Sequence, residues 1–254
     1  MKTFNIKFAG VVFLILSGIT GISFGADNSG KKITVFTIGD STMANKKAEL
    51  APETGWCMVF SEFVDDSVEV KNRAMNGRST KSFITEGRWQ NVLDSLKKGD
   101  YVFIQFGHND EKFQDSTRFT DPFTTYAENL ERFIRETREA GATPILFTPI
   151  VRRKFENGFL TDTHGDYPVA VKQLAAEWDV PLIDLQFLTE GAVTALGDEA
   201  SKKRYLWTDP DSKFPKGRKD DTHLNTEGAM LVARLAAQRL ILLNNSLARH
   251  IRNK

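Results

Sequence analysis

Hydrophobic residues are grouped in five short runs, each followed by a turn containing Gly or Asn and then by a helical pattern. β-branched and aromatic side chains dominate these runs, which predicts buried parallel strands at residues 33–38, 68–72, 101–106, 143–148 and 181–185. Amphipathic spacing elsewhere predicts helices at residues 56–64, 84–96, 123–140, 168–178 and 226–247. Strands that alternate with helices form parallel sheets with right-handed crossovers. The pattern therefore predicts an α/β fold, a three-layer α/β/α sandwich around a five-stranded parallel sheet.

The amino-terminal segment has a different pattern. Lys2 and Lys7 precede an apolar stretch that runs to Phe24, and Ser23 and Gly25 are small residues of the kind that a signal peptidase prefers. We expect a signal peptide at residues 1–25, a single domain at residues 26–254, and a periplasmic or secreted bacterial protein without a membrane span after cleavage. An uncleaved membrane anchor is the alternative.

Composition narrows the classes of partner. Cleavage would remove two lysines and no acidic residue, so the formal net charge of +1 would become −1, which argues against nucleic acid as a partner. A hydrophobic content of 41% can build a core without disulfides, and Cys57 is the sole cysteine. We interpret Cys57 as a packed, inert thiol. The oligomeric state is not indicated.

Ser41 is a candidate nucleophile because it follows the first predicted strand within Gly39-Asp40-Ser41-Thr42. Glycine before the serine allows a sharp turn, and backbone N–H groups after it can face a developing negative charge. In open α/β sheets, ligands bind beyond the carboxyl ends of the strands, which is where Ser41 falls. A serine that caps a helix is the alternative interpretation.

Two further strand ends carry candidate hydrogen-bond donors. Gly77 follows the second strand, where its backbone N–H can approach a ligand without an intervening Cβ, and Asn109 follows the third. Together with the Ser41 N–H, these groups would form an oxyanion hole. An Asx turn is the alternative role for Asn109.

His223 is the candidate general base among the four histidines, at positions 108, 164, 223 and 250. A hydroxyl becomes a useful nucleophile when an imidazole takes its proton and a carboxylate orients the imidazole. Asp220 lies three residues before His223, although spacing alone also admits Asp221. We interpret His108 as a structural hydrogen-bonding residue, and His164 either lines a pocket or fixes a loop. The ligand spacing of a metal site is missing, so we expect neither a metal nor another cofactor.

Taken together, four ordered blocks resemble the SGNH or GDSL-type hydrolases. The blocks are Gly39-Asp40-Ser41, Gly77, Gly107-x-Asn109-Asp110 and Asp220-x-x-His223. Fuller strings are similar to the rhamnogalacturonan acetylesterases, and they include Gly77-Arg78-Ser79, Phe106-Gly107-His108-Asn109-Asp110 and Thr163-His164-Gly165-Asp166-Tyr167-Pro168. The similarity extends from about Thr34 to the end of the last helix. It departs at Cys57, where relatives often have Gly.

The resemblance implies a flavodoxin-like sandwich and a serine esterase that removes acetyl groups from pectic polysaccharide. It implies a triad of Ser41, Asp220 and His223, with Ser41, Gly77 and Asn109 as the oxyanion hole. A pectic substrate carries carboxylates, so we expect Arg78 to bind it by bidentate pairing and His164 to contribute to the same pocket. The alternatives are another acetylated glycan such as xylan, a short acyl ester, or a non-catalytic carbohydrate-binding protein.

Overall fold

Five parallel strands form the central sheet of the protein in a computed structural model, which describes residues 32–252. The strands of this range are β1 (Ile33–Gly39), β2 (Val68–Asn72), β3 (Tyr101–Gln105), β4 (Thr143–Phe147), β5 (Phe155–Glu156), β6 (Phe159–Leu160), β7 (Leu182–Ile183), β8 (Tyr205–Thr208) and β9 (Arg218–Leu224). The sheet order is β2-β1-β3-β4-β7, with every pair parallel. This is the order of flavodoxin-like doubly wound folds, which confirms the predicted fold class. The predicted signal peptide lies outside the described residues.

Alternation along the strands builds two cores, one on each face of the sheet. Successive side chains of a strand point to opposite faces, so Val35 of β1 joins one core while Phe36 and Ile38 join the other. In β3, Phe103 and Ile104 separate in the same way. The sheet is therefore covered on both sides, as the three-layer prediction requires.

Helices cover both faces, but several are shorter than the sequence pattern predicts. Their bounds are α1 (Thr80–Thr85), α2 (Arg88–Leu93), α3 (Ala127–Glu139), α4 (Tyr167–Glu177), α5 (Leu185–Ser201) and α6 (Thr226–Leu240). The helix predicted at residues 84–96 is interrupted by Gly87, which adopts a left-handed φ of 69°. The helix predicted at residues 56–64 forms two short 3-10 turns, because its aromatic and β-branched residues are poor helix formers. Within residues 32–252, no helix is both long and apolar enough to cross a bilayer.

Three elements have no counterpart in the predicted pattern. They are helix α5 and the antiparallel hairpins β5–β6 and β8–β9. Gly197 of α5 has non-helical backbone angles, which breaks its periodicity. The strand β9 is rich in charged residues and lacks the apolar alternation that identifies a half-buried strand.

Helix α6 anchors the end of hairpin β8–β9. The side chain of Asn225 caps this helix by accepting a hydrogen bond from the N–H of Gly228 at 3.0 Å. A Cβ at Gly228 would lie 1.8 Å from the carbonyl oxygen of Arg204, so only glycine allows this close approach. Several small residues of α6 are buried against the segment that contains Trp56. The start of α6, and with it the end of β9, is therefore fixed to the core.

The two ends of the described chain lie near the amino ends of the strands. The N–H of Ile33, at the start of β1, donates to the carbonyl of Ser67 at 2.9 Å. Ile251 pairs with Val64, just before β2, and the N–H of Arg252 donates to Phe63 at 2.8 Å. The opposite edge of the sheet, where β1, β2 and β3 end, carries the candidate catalytic residues.

Candidate active site

Ser41 lies in a tight turn directly after β1 and is 9% exposed. Asp40 holds the turn, because its Oδ1 accepts hydrogen bonds from the N–H and the hydroxyl of Thr42 at 2.9 and 2.8 Å. A Cβ at Gly39 would lie 2.5 Å from the carbonyl oxygen of Gln105, so the strand has no room for a side chain there. No helix of the described chain begins at Ser41, which removes the helix-capping alternative.

His223 connects the serine to a carboxylate. Its Nε2 lies 2.9 Å from Ser41 Oγ, and its Nδ1 lies 2.7 Å from Asp220 Oδ2. Because a carboxylate only accepts hydrogen bonds, Nδ1 carries the ring proton and Nε2 is left to accept the serine proton. This arrangement can perform nucleophilic catalysis by a hydroxyl.

A bulge in β9 brings Asp220 and His223 together. Leu224 pairs with Tyr205 and Asp220 pairs with the adjacent Leu206, so residues 221–223 are extra residues that leave the ladder. Asp220 Oδ1 accepts from the N–H groups of Thr222 and His223 at 2.8 and 2.9 Å. Partial burial raises the pKa of Asp220, but the hydrogen bonds from the ring and backbone of His223 outweigh it and hold that pKa well below its usual range.

Asp221 faces away from His223. Its Oδ1 accepts from Arg153 Nε at 2.8 Å and from Trp207 Nε1 at 2.7 Å. Between the two acids that the sequence leaves open, Asp220 is therefore the one in contact with the histidine.

The loops that follow β1, β2 and β3 are joined by hydrogen bonds. The N–H of Met75 donates to Gly39 at 3.0 Å, and Asn109 Nδ2 donates to the carbonyl of Arg78 at 3.1 Å. Gly77 has a φ of 75°, and a Cβ there would meet only Arg118, at 3.8 Å. The left-handed backbone, rather than a lack of space, is therefore what favours glycine at this position.

Cationic side chains fix the orientation of the Asn109 amide. Its Oδ1 accepts from Lys112 Nζ at 2.9 Å and lies 3.5 Å from an amino group of Arg118. An amide nitrogen has two hydrogens, and the bond to Arg78 uses one. The second hydrogen is left to donate to a ligand, as the oxyanion-hole prediction for Asn109 requires.

Two other predicted residues are already engaged with the protein. Arg78 Nε bonds both carboxylate oxygens of Glu86, at 3.1 and 3.0 Å, and its NH1 donates to Asn76. His164 is 2% exposed, and its ring nitrogens lie 2.9 Å from Glu111 Oε2 and 2.8 Å from the carbonyl oxygen of Ile150. The substrate-binding interpretation of His164 is corrected, because a buried ring with both nitrogens occupied has no polar atom to offer.

His108 supports the nucleophile turn from behind. Its Nδ1 lies 3.2 Å from Asp40 Oδ2, and burial lowers the pKa of His108 to about 4 despite the opposing charge of Asp40. Burial also raises the pKa of Asp40, but His108 and the bonds from Thr42 overcome this and leave it well below its usual range. The predicted structural role of His108 is confirmed.

Cys57 is a free, buried thiol in the core, which confirms that it is packed. Burial raises its pKa well above the usual value, which disfavours the reactive thiolate. No group of three or more His, Cys, Asp or Glu side chains able to hold a metal ion occurs among residues 32–252.

Sequence reasoning missed a buried ion pair beside the serine. Lys46 Nζ donates to the carbonyl oxygen of Ser41 at 2.6 Å and pairs with Glu53 at 2.9 Å. Nothing in the sequence distinguishes Lys46 from the exposed Lys47 next to it, so only the fold reveals this contact.

Comparison with known proteins identifies the family of this site. The model of the GDSL-like lipase/acylhydrolase family matches residues 37–231. The rhamnogalacturonan acetylesterase RhgT of Bacillus subtilis is 42% identical over 224 residues, which cover 87% of this chain and 95% of RhgT. The probable rhamnogalacturonan acetylesterase YesY of the same organism is 37% identical over 205 residues, which cover 81% of this chain and 87% of YesY.

A solved structure agrees with the fold. The crystal structure of YxiM from Bacillus subtilis superposes with a TM-score of 0.71 at 27% identity, covering 85% of this chain and 58% of the longer YxiM chain. The resemblance to SGNH hydrolases, and among them to the rhamnogalacturonan acetylesterases, is confirmed. The chain therefore belongs to the GDSL-like lipase/acylhydrolase family and is a carboxylic ester hydrolase.

Proposed function

We propose that this protein removes acetyl groups from rhamnogalacturonan, with Ser41 as nucleophile, His223 as general base and Asp220 as the residue that orients His223. The observation that carries the proposal is the continuous series of hydrogen bonds from Ser41 Oγ through the His223 ring to Asp220. The choice of substrate rests on RhgT, a named rhamnogalacturonan acetylesterase that is 42% identical over most of both chains.

The reaction has two half-reactions. Ser41 Oγ attacks the acetyl carbonyl carbon while His223 Nε2 takes the hydroxyl proton, which gives a tetrahedral oxyanion. His223 then returns the proton to the departing sugar oxygen as the ester C–O bond breaks. Water repeats the sequence on the acetyl-enzyme, with His223 again taking and returning one proton, and acetate leaves.

The oxyanion is stabilised by the N–H groups of Ser41 and Gly77 and by the second amide hydrogen of Asn109. Lys112 supports this assignment, because its bond to Asn109 Oδ1 prevents the amide from presenting oxygen to the oxyanion. Losing one such donor costs about 3 kcal/mol of transition-state stabilisation.

Arg78 binds the carboxylate of an acidic sugar. Together with Gly77 and Arg118, it lines an open cavity of about 360 Å³. Arg78 donates to the carboxylate of Glu86, and Arg118 Nε donates to Asp115 Oδ2 at 2.6 Å. Both guanidinium groups are therefore oriented before substrate binds. An acidic sugar would share or displace these carboxylates.

Export is part of the proposal. Residues 1–25 act as a signal peptide, and the enzyme meets its polymer in the periplasm or outside the cell. Intact-mass measurement of protein expressed in a bacterial host tests this, since cleavage after Gly25 leaves Ala26 as the first residue; an intact amino terminus supports the membrane-anchor alternative.

Acetate release tests the substrate. Wild type and Ser41→Ala are compared on acetylated rhamnogalacturonan, acetylated xylan and 4-nitrophenyl acetate, and Ser41 is labelled with a fluorophosphonate. We expect preferred release from rhamnogalacturonan, with both release and labelling lost in Ser41→Ala. Acetate release from xylan or the small ester alone would contradict rhamnogalacturonan as the substrate and favour a broader esterase activity. Unchanged activity of Ser41→Ala would overturn the mechanism.

A further inference from the structure

We propose that Lys46 is a positioning residue for acyl transfer. Its buried ammonium group fixes the turn of Ser41, the loop of Gly77 and strand β9 in position relative to one another. The inference rests on the proposed function, because it explains how the residues of that mechanism are kept in place.

The ammonium group of Lys46 is fully occupied. Its side chain is 1% exposed, and Nζ lies 2.6 Å from the carbonyl oxygen of Ser41, 2.7 Å from Asn76 Oδ1 and 2.9 Å from Glu53 Oε1. An ammonium group has three N–H donors, so these three acceptors use all of them. The three partners therefore fix the position of Nζ, and Nζ in turn fixes them relative to one another.

Two of these partners are adjacent to groups that act in the reaction. One is the carbonyl oxygen of the nucleophile itself, and the other belongs to the residue before Gly77, whose N–H we assign to the oxyanion hole. Lys46 thereby links the attacking group to a group that stabilises the product of attack. A shift of about 1 Å between such groups is enough to reduce a rate by about 100-fold.

The third partner extends the connection to β9. Glu53 is 8% exposed, and its second carboxylate oxygen accepts from an amino group of Arg218 at 2.7 Å. Its backbone pairs with Asn225, and the N–H of Thr54 donates to Leu224 at 2.9 Å. The contacts of this segment therefore reach both ends of the strand that carries Asp220 and His223.

Stability alone does not account for this ion pair. Charged groups lose hydration when they are buried, and apolar residues of similar volume often stabilise a protein as well or better. Burial lowers the pKa of Lys46, while the charges of Glu53, Asp40 and Asp220 oppose that shift and favour the ammonium form. What an apolar side chain cannot supply is three directed bonds to three different loops.

Substitution of Lys46 tests the inference. Lys46→Met keeps an unbranched side chain one atom shorter and without donors, and Lys46→Arg keeps a positive charge with donors. Lys47→Met is the matched control, since the Lys47 side chain is 82% exposed. The readouts are kcat and KM on 4-nitrophenyl acetate, the rate of fluorophosphonate labelling of Ser41, and Tm. We expect Lys46→Met to lower kcat by about 10- to 100-fold with KM changed less than about threefold. Lys46→Arg should recover part of kcat, and Lys47→Met should match wild type.

Asn76→Ala is a second variant that remains informative if Lys46→Met folds poorly, and where Lys46→Met does fold, the two form a double-mutant cycle that measures their coupling. Asn76→Ala removes one partner of Nζ from a half-buried loop, and we expect it to lower kcat by about three- to tenfold. In the double variant the two losses should be clearly less than multiplicative. A folded Lys46→Met with kcat within twofold of wild type, or an Asn76→Ala with unchanged kcat, overturns the inference. Activity that survives Ser41→Ala would instead overturn the proposed function.

Discussion

At the scale of single residues, the two carboxylate oxygens of Asp220 accept hydrogen bonds from different groups. Oδ2 contacts the imidazole of His223, while Oδ1 accepts hydrogen bonds from the backbone N–H groups of Thr222 and of His223 itself. The same carboxylate thus orients the ring of His223 and the backbone beneath it. The pKa of Asp220 lies well below its usual range, so this carboxylate is ionised at neutral pH.

Neutralising Asp220 is therefore expected to be far more damaging than neutralising its neighbour. Asp220→Asn can present an amide N–H to Nδ1, which favours the wrong tautomer, so kcat should fall by about 10⁴-fold. Asp221→Asn, the matched control, alters bonds to Arg153 and Trp207 only, and kcat should change by less than about tenfold. Steady-state kinetics on 4-nitrophenyl acetate measures both, and a larger loss for Asp221→Asn would contradict the assignment.

Arg78→Ala tests recognition of acidic sugar. Without the guanidinium group, we expect KM on acetylated rhamnogalacturonan to rise about tenfold, equivalent to about 1.4 kcal/mol, with little change on neutral acetylated xylan. Arg88→Ala is the control, since Arg88 bonds the same Glu86 at 2.5 Å but does not line the cavity. Equal KM values for wild type and Arg78→Ala on the acidic polymer would rule out this role.

Some residues of the candidate site can be chosen from the sequence alone, and others become evident only in the folded structure. Ser41 and His223 can be chosen from the sequence as candidates, because few residue types can act as a nucleophile or a general base and each of the two lies in a short motif. The role of Asp221 is not, since choosing between adjacent acids depends on which way β9 turns. Lys46 is hidden for the same reason: whether a lysine is buried depends on contacts with residues that are distant in the chain.

At the scale of elements, the bulge of β9 and the left-handed turn at Gly77 position the candidate functional groups. The central sheet was predictable from apolar runs because its strands are buried on both faces. Hairpin β8–β9 was not, because its residues are charged and its register shift depends on pairing with Tyr205 and Leu206. The helix predicted across Gly87 failed because that glycine adopts a left-handed conformation, which amphipathic spacing does not reveal.

Two glycines with similar backbone geometry allow a matched test. Gly77 and Gly87 have φ values of 75° and 69°, and an added Cβ has space at both positions. Alanine in a left-handed conformation costs about 1–2 kcal/mol, so both Gly77→Ala and Gly87→Ala should lower the free energy of unfolding by a similar amount. Only Gly77→Ala should also lower kcat, by about tenfold or more, because its N–H would move.

Denaturant unfolding and steady-state kinetics measure these effects. If Gly87→Ala reduced kcat as much as Gly77→Ala, the loss would reflect general destabilisation rather than the loss of an oxyanion donor.

At the scale of the whole molecule, a buried acid couples folding to pH. Asp110 Oδ1 accepts from the N–H and hydroxyl of Thr80 and from the hydroxyl of Thr120, while Oδ2 has no partner within the described chain. Burial raises the pKa of Asp110 from 3.8 to about 7. Between pH about 4 and about 7, the carboxyl group of Asp110 is protonated in the folded protein but ionised in the unfolded chain. The contribution of Asp110 to the free energy of unfolding therefore decreases as pH rises through this range.

Asp110→Asn should remove this dependence. The amide keeps an acceptor for Thr80 and Thr120, so we expect the Tm of wild type minus that of the variant to fall as pH rises from about 4.5 to about 7. The corresponding change in the free energy of unfolding across this pH range is on the order of 4 kcal/mol at most. Asp115→Asn is the control: bonds from Thr117 and Arg118 lower the pKa of Asp115 to about 2, so its contribution is constant over this range. A pH-independent difference for Asp110→Asn would contradict the prediction.

The positions of residues 32 and 252 have a practical consequence. Both lie near the amino ends of the strands, while Ser41 and its partners lie beyond the carboxyl ends. Attachment to a solid support through a linker joined at either of these residues would direct the candidate active site away from the support. If the substrate is the polysaccharide proposed above, it needs free space around the candidate site. Oriented immobilisation should then preserve turnover of the polymer, whereas random coupling through surface lysines would block the site in part of the population.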